Sequence, residues 1–337
     1  MHKRLVNHCT IEISIEPDGP VLVKSGQEGA DPTKPSMEFV ETYHQGGKSI
    51  YFPGSSLKGA IRAHAERIVR TIGSDRRPGD EQNKLWASDP LSECRDNNPN
   101  HYLDDWKKGE KNKKLEDREP NPGASLYKMS CFTTQLFGST SVASRFRIED
   151  AYPAPEVAVK TEERNGVAID RVFGSVAVGP FNYQVCTAGK FTTKIHLKNF
   201  TLAQLALIGL VLRDLNEGWF GLGFAKSRGL GMVQVAIDRV VVQYPGCVLD
   251  NEEIKLIGNT AGWPHTSLLG AGMFLSKSEC EAYGFPKDDF QDTSVPGEAM
   301  ELGFGVELVW DSNNVKELFE RAVGAWRKLL MPKGVAS

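Results

Sequence analysis

The sequence lacks long apolar runs, cysteine pairs and an excess of positive charge. No apolar run approaches the roughly 20 residues of a membrane-spanning helix, and Met1-His2-Lys3-Arg4 leads into an alternating segment instead of a signal-peptide core. The six cysteines are scattered without the spacing of a disulfide framework, which favours reduced thiols in a reducing compartment. We therefore expect a cytoplasmic protein that does not contact a membrane.

The charge balance excludes a generally basic nucleic-acid binder. The 337 residues carry 40 Lys and Arg against 43 Asp and Glu, which gives a formal net charge of −3 and a pI near 6.2. A site for a polyanion therefore has to be a local patch. Hydrophobic residues at 40% and charged residues at 25% are otherwise ordinary for a folded globular protein.

Such a local patch is present at residues 52–62, Phe-Pro-Gly-Ser-Ser-Leu-Lys-Gly-Ala-Ile-Arg. Pro53 and Gly54 interrupt the preceding element, and Ser55 or Ser56 can cap the backbone N–H groups of a first helical turn. The pattern predicts a helix that begins in this segment and continues for about five turns.

The two faces of this predicted helix differ in character. Its charged face carries Lys58 and Arg62 near the start, where free N–H groups and the positive end of the helix dipole also suit a phosphate. A capped helix with a solvated charged face is the alternative that these residues leave open. The predicted apolar stripe consists of Leu57, Ile61, Ile68 and Ile72.

The order of predicted elements indicates the fold class. Alternating residues predict strands at 5–17, 144–151 and 191–197 and from 233 onwards, and a nearly all-apolar helix follows Thr201. With the helix at 55–72, the order is strand, helix, strand, strand, helix, strand. This order predicts an α+β fold with a ferredoxin-like or RRM-like palm, βαββαβ.

Two further segments interrupt this palm, and one follows it. Residues 73–130 are hydrophilic and predicted to be an irregular insertion, and a projecting, thumb-like β-hairpin is predicted around residues 155–185, with Val172 and Phe173 near its tip. We assign residues 1–244 to the palm. Residues 245–337 form a C-terminal extension that packs on the palm or on a neighbouring subunit.

A glycine-rich segment, residues 221–231, follows the second helix. It combines four glycines with Lys226 and Arg228, so its backbone and its cations can approach a phosphate. The spacing is neither that of a nucleoside-triphosphate loop nor that of a dinucleotide fingerprint, because the segment leads from a helix into a strand. A plain glycine-rich turn is the alternative.

Together, these segments resemble the RAMP superfamily of CRISPR-associated proteins, in particular the backbone subunits of type III effector complexes. The resemblance covers about residues 5–243. It is carried by residues 55–62, by Leu136-Phe137-Gly138 before Ser144-Arg145, by Ala168-Ile169-Asp170-Arg171 and by residues 221–231.

The resemblance implies an RNA-binding palm that polymerises along a guide RNA, the crRNA, together with other CRISPR effector subunits and a target RNA. Cations and small polar groups recognise the RNA backbone rather than its sequence, as a protein that serves many guides requires. The thumb would displace one nucleotide. The residues implied to contact RNA are Ser55, Ser56, Lys58, Arg62, Arg145, Val172, Phe173, Lys226 and Arg228.

In such subunits, cleavage of target RNA depends on an aspartate in the loop after the first strand, and Asp31 in Gly29-Ala30-Asp31-Pro32 resembles that position. Its carboxylate would hold Mg²⁺ or another divalent metal near the scissile phosphate or assist attack by the 2′-hydroxyl group. Glu28 and Asp18 are further candidates. The alternative is an aspartate that forms a turn before proline.

A zinc site is a weaker expectation. Cys131 lies where some relatives have a Cys-x-x-Cys pair, but Thr134 replaces the second cysteine. Cys94 and His101 in the insertion would have to complete a Zn²⁺ site with Cys131, and ligands so widely spread are poor support for one.

Two alternative functions remain open at this stage. The chain could be a non-catalytic structural or capping subunit of the same complex, which would differ only in the loop that contains Asp31. It could also be the related crRNA-processing endoribonuclease, with His44 or His64 as a general base.

Overall fold

The computed structural model describes residues 4–26, 35–44, 46–79 and 85–330. The first part of the chain contains β1 (His8–Pro17), β2 (Glu41–His44), β3 (Gly47–Ile50), α1 (Gly54–Ile72), α2 (Pro99–Asn112), α3 (Pro122–Met129), α4 (Phe132–Phe137), β4 (Phe146–Ile148), β5 (Tyr152–Pro153), β6 (Lys160–Ile169) and β7 (Val176–Ala188). The second part contains β8 (Phe191–Lys198), α5 (Leu202–Asn216), β9 (Val233–Tyr244), β10 (Cys247–Asp250), β11 (Glu253–Leu256), β12 (Gly262–Pro264), β13 (Ser267–Leu269), α6 (Lys277–Tyr283), β14 (Phe290–Asp292), β15 (Glu298–Ala299), β16 (Val306–Asp311) and α7 (Val315–Leu330).

The main antiparallel sheet has the strand order β15-β16-β9-β1-β8-β4, and β5 also pairs with β8. β1 lies between β8 and β9, and each of its strand neighbours is antiparallel to it. The α+β class is therefore confirmed.

One face of this sheet forms the core. Because side chains of a strand alternate between two faces, the apolar residues of β1 all point to the same side, where α1 and α5 pack against each other. Thr201 caps α5 through a capping box with Gln204, as the sequence predicts. The buried apolar residues of β1 are Cys9, Ile11, Ile13 and Ile15.

The insertion is not irregular, which corrects the sequence prediction for residues 73–130. It contains α2 and α3, and each begins at an asparagine cap followed by proline, at Asn98 and Asn121. α2 buries Tyr102 and Leu103 although most of its residues are polar. The insertion folds because two short apolar patches and two caps suffice when the helices dock on a larger core.

A long hairpin and a C-terminal extension complete the fold. Strands β6 and β7 pair over residues 160–188, slightly later in the chain than the predicted range. In the extension, β16 pairs with β9 and α7 packs on α5. None of the helices in the described part of the chain combines the length and apolar composition needed to cross a bilayer.

Candidate nucleic-acid interface

Three of the predicted RNA-binding segments lie at one end of the main sheet. We call this the exit end: β1 finishes there at Pro17, beside the start of β9 at Val233 and near the start of β8 at Phe191. The glycine-rich segment is tied to it because the Gly231 N–H donates to the Pro20 carbonyl at 2.9 Å. The hairpin leaves the same end, since β7 leads directly into β8.

The start of α1 lies at the exit end too, but it is capped differently from the prediction. Pro53 occupies the N-cap position and no serine caps the helix, so the proposed capping role of Ser55 or Ser56 is wrong. The Gly54 N–H instead donates to Oδ1 of Asp150 at 2.7 Å. A carboxylate therefore already interacts with the positive end of the helix dipole, and both serines remain exposed.

The two cations of α1 are bound to the protein itself. The Lys58 ammonium donates to Oγ of Ser144 at 2.9 Å, and Nη1 of Arg62 donates to the Gly138 carbonyl at 3.0 Å. Partial burial, followed by the nearby charge of Arg62, lowers the pKa of Lys58. Arg62 also pairs with Glu66 at 2.9 Å. Both cations thus fasten α1 to the segment that precedes β4.

The glycine-rich segment uses most of its glycines for contacts within the chain. A Cβ atom on Gly223 would lie 2.1 Å from the Leu22 carbonyl oxygen, and one on Gly231 would lie 2.3 Å from that of Leu222. Both residues also have positive φ angles, of 77° and 93°. The glycines therefore allow the segment to pack tightly against residues 20–22, which supports the turn interpretation for this part of the loop.

The cations of this segment are directed to solvent. Lys226 and Arg228 lie on an exposed single turn of 3₁₀ helix, and neither forms an ion pair with another described residue. The Arg228 guanidinium lies 5.1 Å from the centre of the Phe224 ring. Exposed cations that form no ion pair with a described residue lose little when they bind phosphate, so this turn is more available to a phosphate than the start of α1.

The hairpin tip presents apolar side chains to solvent. Val172 and Phe173 are 83% and 84% exposed. Their N–H groups both donate to Oδ1 of Asp170, at 2.7 and 2.9 Å, and these bonds lower the pKa of the Asp170 carboxyl group. The tip is therefore a defined turn, and contiguous exposed apolar residues of this kind mark a binding surface. The exposed residues that continue it along the strands are Val167, Ile169, Val176 and Val178.

Arg145 is not part of this surface. Its side chain is buried at 2% exposure, its Nη1 atom donates to the Asn199 carbonyl at 3.1 Å, and its guanidinium lies 3.8 Å from the centre of the Tyr127 ring. We therefore withdraw Arg145 as an RNA contact. The alternation of the strand placed it on the polar side, but β4 begins only at Phe146, after the arginine has turned into the core.

The carboxylate candidates are only partly described. Asp31 and Glu28 lie outside the described residues. Asp18, the third candidate, is at the exit end, where its Oδ1 atom accepts a hydrogen bond from Nε2 of Gln234 at 3.1 Å. In the described ranges, no group of three or more His, Cys, Asp or Glu side chains is arranged to hold a metal ion.

The zinc candidates have different environments. Cys94 and His101 are exposed, whereas Cys131 is fully buried and caps α4. The Cys131 thiol contacts Oγ of Ser88 at 3.0 Å and donates a hydrogen bond to Oγ1 of Thr134 at 3.1 Å. The residue that replaces the second cysteine is therefore a hydrogen-bond partner of the first.

The two histidines that a processing nuclease would use are also engaged. His64 is buried, and its Nε2 atom lies 2.7 Å from Oδ2 of Asp214, so it joins α1 to α5. His44 stacks on Tyr152 with ring centres 3.8 Å apart and planes inclined by 4°. His64 is therefore not accessible to an RNA substrate in this conformation.

Sequence reasoning missed the two aspartates that organise the interface. Asp150 caps α1 from 96 residues away, so no local pattern identifies it. Asp170 was seen only as part of a motif, although Asp170-Arg171-Val172-Phe173-Gly174 has the aspartate and glycine of an Asx turn. Once a hairpin is predicted at these residues, the aspartate and the glycine also predict the turn at its tip.

Comparison with known proteins supports the family. No curated protein matches the chain. A family model described as RAMP superfamily matches residues 14–234, which is more than half of the 337 residues and includes α1, the hairpin and the glycine-rich segment. The chain therefore belongs to the RAMP superfamily of CRISPR-associated, RNA-binding proteins.

Proposed function

We propose that this chain is a backbone subunit of a type III CRISPR effector complex, which holds crRNA along the exit end of its palm. The observation that carries the proposal is that α1, the glycine-rich segment and the hairpin, all within the family match, lie at the same end of the sheet. A strand of RNA that crosses this end can contact all three. We also infer that β9-β1-β8-β4 with α1 and α5 is the ferredoxin-like palm, because its strand order is that of a split βαβ fold.

We assign the contacts to the RNA backbone to polar side chains that are exposed to solvent. Lys226 and Arg228 bind phosphates directly, because they are exposed and unpaired among the described residues. Ser55 and Ser56, exposed on the first turn of α1, donate hydroxyl hydrogen bonds to the same strand. Lys58 and Arg62 shape this surface through their hydrogen bonds to the segment before β4.

The hairpin provides an apolar wedge. Val172 and Phe173 at its tip press against a base that leaves the stack of its neighbours, and an apolar surface of this kind stabilises an unstacked base. Asp170 holds the two residues in place. The remaining exposed apolar residues of the hairpin contact neighbouring subunits of the complex.

The assignment is tested by purifying the chain with its partners from its host and sequencing the RNA that accompanies it. We expect short RNAs that begin with a constant repeat-derived tag. A preparation that contains the other subunits but only random cellular RNA would contradict the proposal. An alanine variant of Lys226 and Arg228 is the matched test of the site, since it should reduce the amount of this RNA.

We further propose that target RNA is cleaved with the help of Asp31. A 2′-hydroxyl group that attacks the adjacent phosphate loses its proton and needs no protein nucleophile. The bond from phosphorus to the 5′-oxygen of the next nucleotide breaks, which leaves a 2′,3′-cyclic phosphate and a 5′-hydroxyl group. A divalent metal would supply charge stabilisation at that phosphate. Since Asp31 lies outside the described residues and the described ones form no metal-binding group, no step is assigned to the metal.

The Asp31→Ala variant separates the catalytic subunit from a structural or capping subunit. We expect the assembled complex to keep its crRNA and lose target cleavage. Asp18→Asn tests the described alternative carboxylate, which accepts a hydrogen bond from Gln234; loss of cleavage in this variant but not in the Asp31 variant would assign the role to Asp18. Unchanged cleavage at every site by the Asp31 variant would favour the structural subunit.

Processing of precursor crRNA is a less supported function. It would require a free general base, and His64 is buried against Asp214. Incubation of the lone protein with precursor repeat RNA tests it, and specific cleavage there would favour the processing nuclease.

A further inference from the structure

A short stack of aromatic rings lies at the exit end, and none of the functions above uses it. Tyr152 in β5 stacks on His44 in β2 with ring centres 3.8 Å apart, and on Tyr51 with centres 5.7 Å apart and planes inclined by 17°. We call these three rings the ring stack. Tyr152 comes from β5, whereas His44 and Tyr51 flank the β2–β3 hairpin about a hundred residues earlier, so the fold brings the two parts together.

The outer ring faces of the stack are those of His44 and Tyr51. Within the described part of the chain, neither ring stacks on a second aromatic partner. Both rings are half-buried. His44 ends β2 at the tip of the β2–β3 hairpin, next to Tyr43, which is 81% exposed, whereas Tyr51 precedes the fully buried Phe52. Of the two outer rings, His44 therefore has the more exposed neighbour in the chain and is the one we consider for a ligand.

The charges around the stack favour a base over a phosphate. The Tyr152 hydroxyl donates to Oδ2 of Asp150 at 3.3 Å, and the same carboxylate accepts the Gly54 N–H. A second carboxylate, Glu41 in β2, pairs with Lys48 and is neutralised by it. A phosphate beside Asp150 would be repelled, whereas the face of a neutral base is not.

The stack is also joined to the proposed RNA path. Asp150 links the central ring to the first turn of α1, where Ser55 and Ser56 are exposed. Proteins that bind single strands without sequence preference combine a backbone contact with an aromatic platform, because every base has a π face. Here the Asp150 carboxylate connects the exposed hydroxyl groups of α1 to the ring stack.

We propose that the outer face of His44, at the end of the ring stack, binds an unpaired nucleobase of single-stranded RNA. The proposal rests on the proposed RNA-binding function and adds a base-stacking site to it. The rings of Tyr152 and Tyr51 support His44 from behind, so that the imidazole plane is fixed before RNA arrives. Preorganisation of this kind reduces the entropy lost on binding.

The test uses the full chain and a single-stranded RNA carrying 2-aminopurine at successive positions, together with versions in which each position is abasic. For the wild type we expect fluorescence quenching at one position. His44→Ala should abolish that quenching and weaken binding about tenfold, as expected for the loss of about 1.4 kcal/mol of stacking. On RNA that is abasic at this position, the variant and the wild type should bind equally.

Controls separate stacking from folding. His44→Phe keeps a ring at this position and should preserve both quenching and affinity. Phe304→Ala removes another exposed ring, 61% exposed in the C-terminal extension, and should have no effect.

Three results would overturn the proposal. One is His44→Ala with unchanged quenching and affinity. Another is an equal loss of affinity for normal and abasic RNA, which would show that His44 supports the fold or a protein partner instead. The third is a wild-type protein that binds no RNA, which would overturn the proposed function as well, whereas the first two leave it standing.

Discussion

The difference between free and engaged cations at the exit end leads to a quantitative prediction. Lys226 and Arg228 are exposed and unpaired among the described residues, whereas Lys58 and Arg62 donate hydrogen bonds to the segment before β4. If binding depends on phosphate contacts, the affinity falls with salt in proportion to the number of phosphates neutralised. Removal of Lys226 and Arg228 should therefore reduce the salt dependence of RNA binding, whereas removal of Lys58 and Arg62 should reduce the stability of the fold.

The magnitude follows from counterion release. For single strands, each neutralised phosphate contributes about 0.7 to the slope of log affinity against log salt. Replacing both Lys226 and Arg228 by alanine should make the slope less steep by about 1.4 and, at 0.1 M salt, weaken binding by about 25-fold. Replacing Lys58 and Arg62 should change the slope little. It should instead lower the free energy of unfolding by about 2 kcal/mol, because two charge-assisted hydrogen bonds are lost from partly buried positions.

The affinity of each variant for RNA is measured by titration at salt concentrations from about 50 to about 400 mM. Urea unfolding measures the stability of the same variants. A double variant of Lys316 and Arg321 is the matched control, because it removes the same charge from side chains that already form ion pairs within α7. A slope for the Lys226 and Arg228 variant equal to that of the wild type would refute the reasoning. So would a Lys58 and Arg62 variant that flattens the slope by the same amount while its stability is unchanged.

The remaining predictions concern the hairpin tip, the helix packing and the effect of pH. Asp170→Ala should accelerate hydrogen exchange of the tip amides about tenfold, because two of them lose their acceptor, whereas Asp170→Asn should not; equal rates in both variants would count against the turn. Gly209→Ala places a methyl group 2.2 Å from the Phe319 ring and should lower the free energy of unfolding by about 1–3 kcal/mol. Gly59→Ala, in open space on α1, should raise it by about 0.5–1 kcal/mol. Thermal unfolding of both variants measures the difference. Burial, followed by the neighbouring His196, lowers the pKa of His8, so the folded protein takes up a proton at this residue less readily than the unfolded chain. Stability should therefore fall as the pH drops below about 6.5. Urea unfolding of His8→Gln should lack this part of the pH dependence.

Local periodicity accounts for what the sequence predicted well. The alternation in β1 correctly assigned Ile11 and Ile13 to the core, and the apolar composition of α5 indicated its burial. In α1 Leu57 and Ile61 of the predicted stripe are buried, as is Ala65 beside them, but the buried face then continues through Val69, while Ile72 is 40% exposed. The last turn of the predicted stripe was therefore wrong.

Contacts between distant segments account for what it could not predict. The hydrogen-bond acceptors of Lys58 and Arg62 lie 86 and 76 residues further along the chain, so their engagement leaves no local pattern. The same holds for Asp150 at the start of α1. In the ring stack, Tyr152 likewise meets His44 and Tyr51 only in the folded chain. A sequence thus shows which types of residue a site contains. Whether each side chain is available to a ligand or already bonded within the protein depends on the tertiary structure.

The position of β16 has a consequence for assembly. This strand occupies the outer side of β9, so the backbone groups of β9 on that side are already hydrogen-bonded within the chain. Beyond it lies β15, two residues long, and the opposite margin of the sheet ends in the three-residue β4. Such short margins offer few unpaired backbone groups to an incoming strand, which also guards against aggregation. If copies of this chain line up along an RNA, as proposed, we expect them to recognise one another through side chains and projecting segments, and not by extending the main sheet.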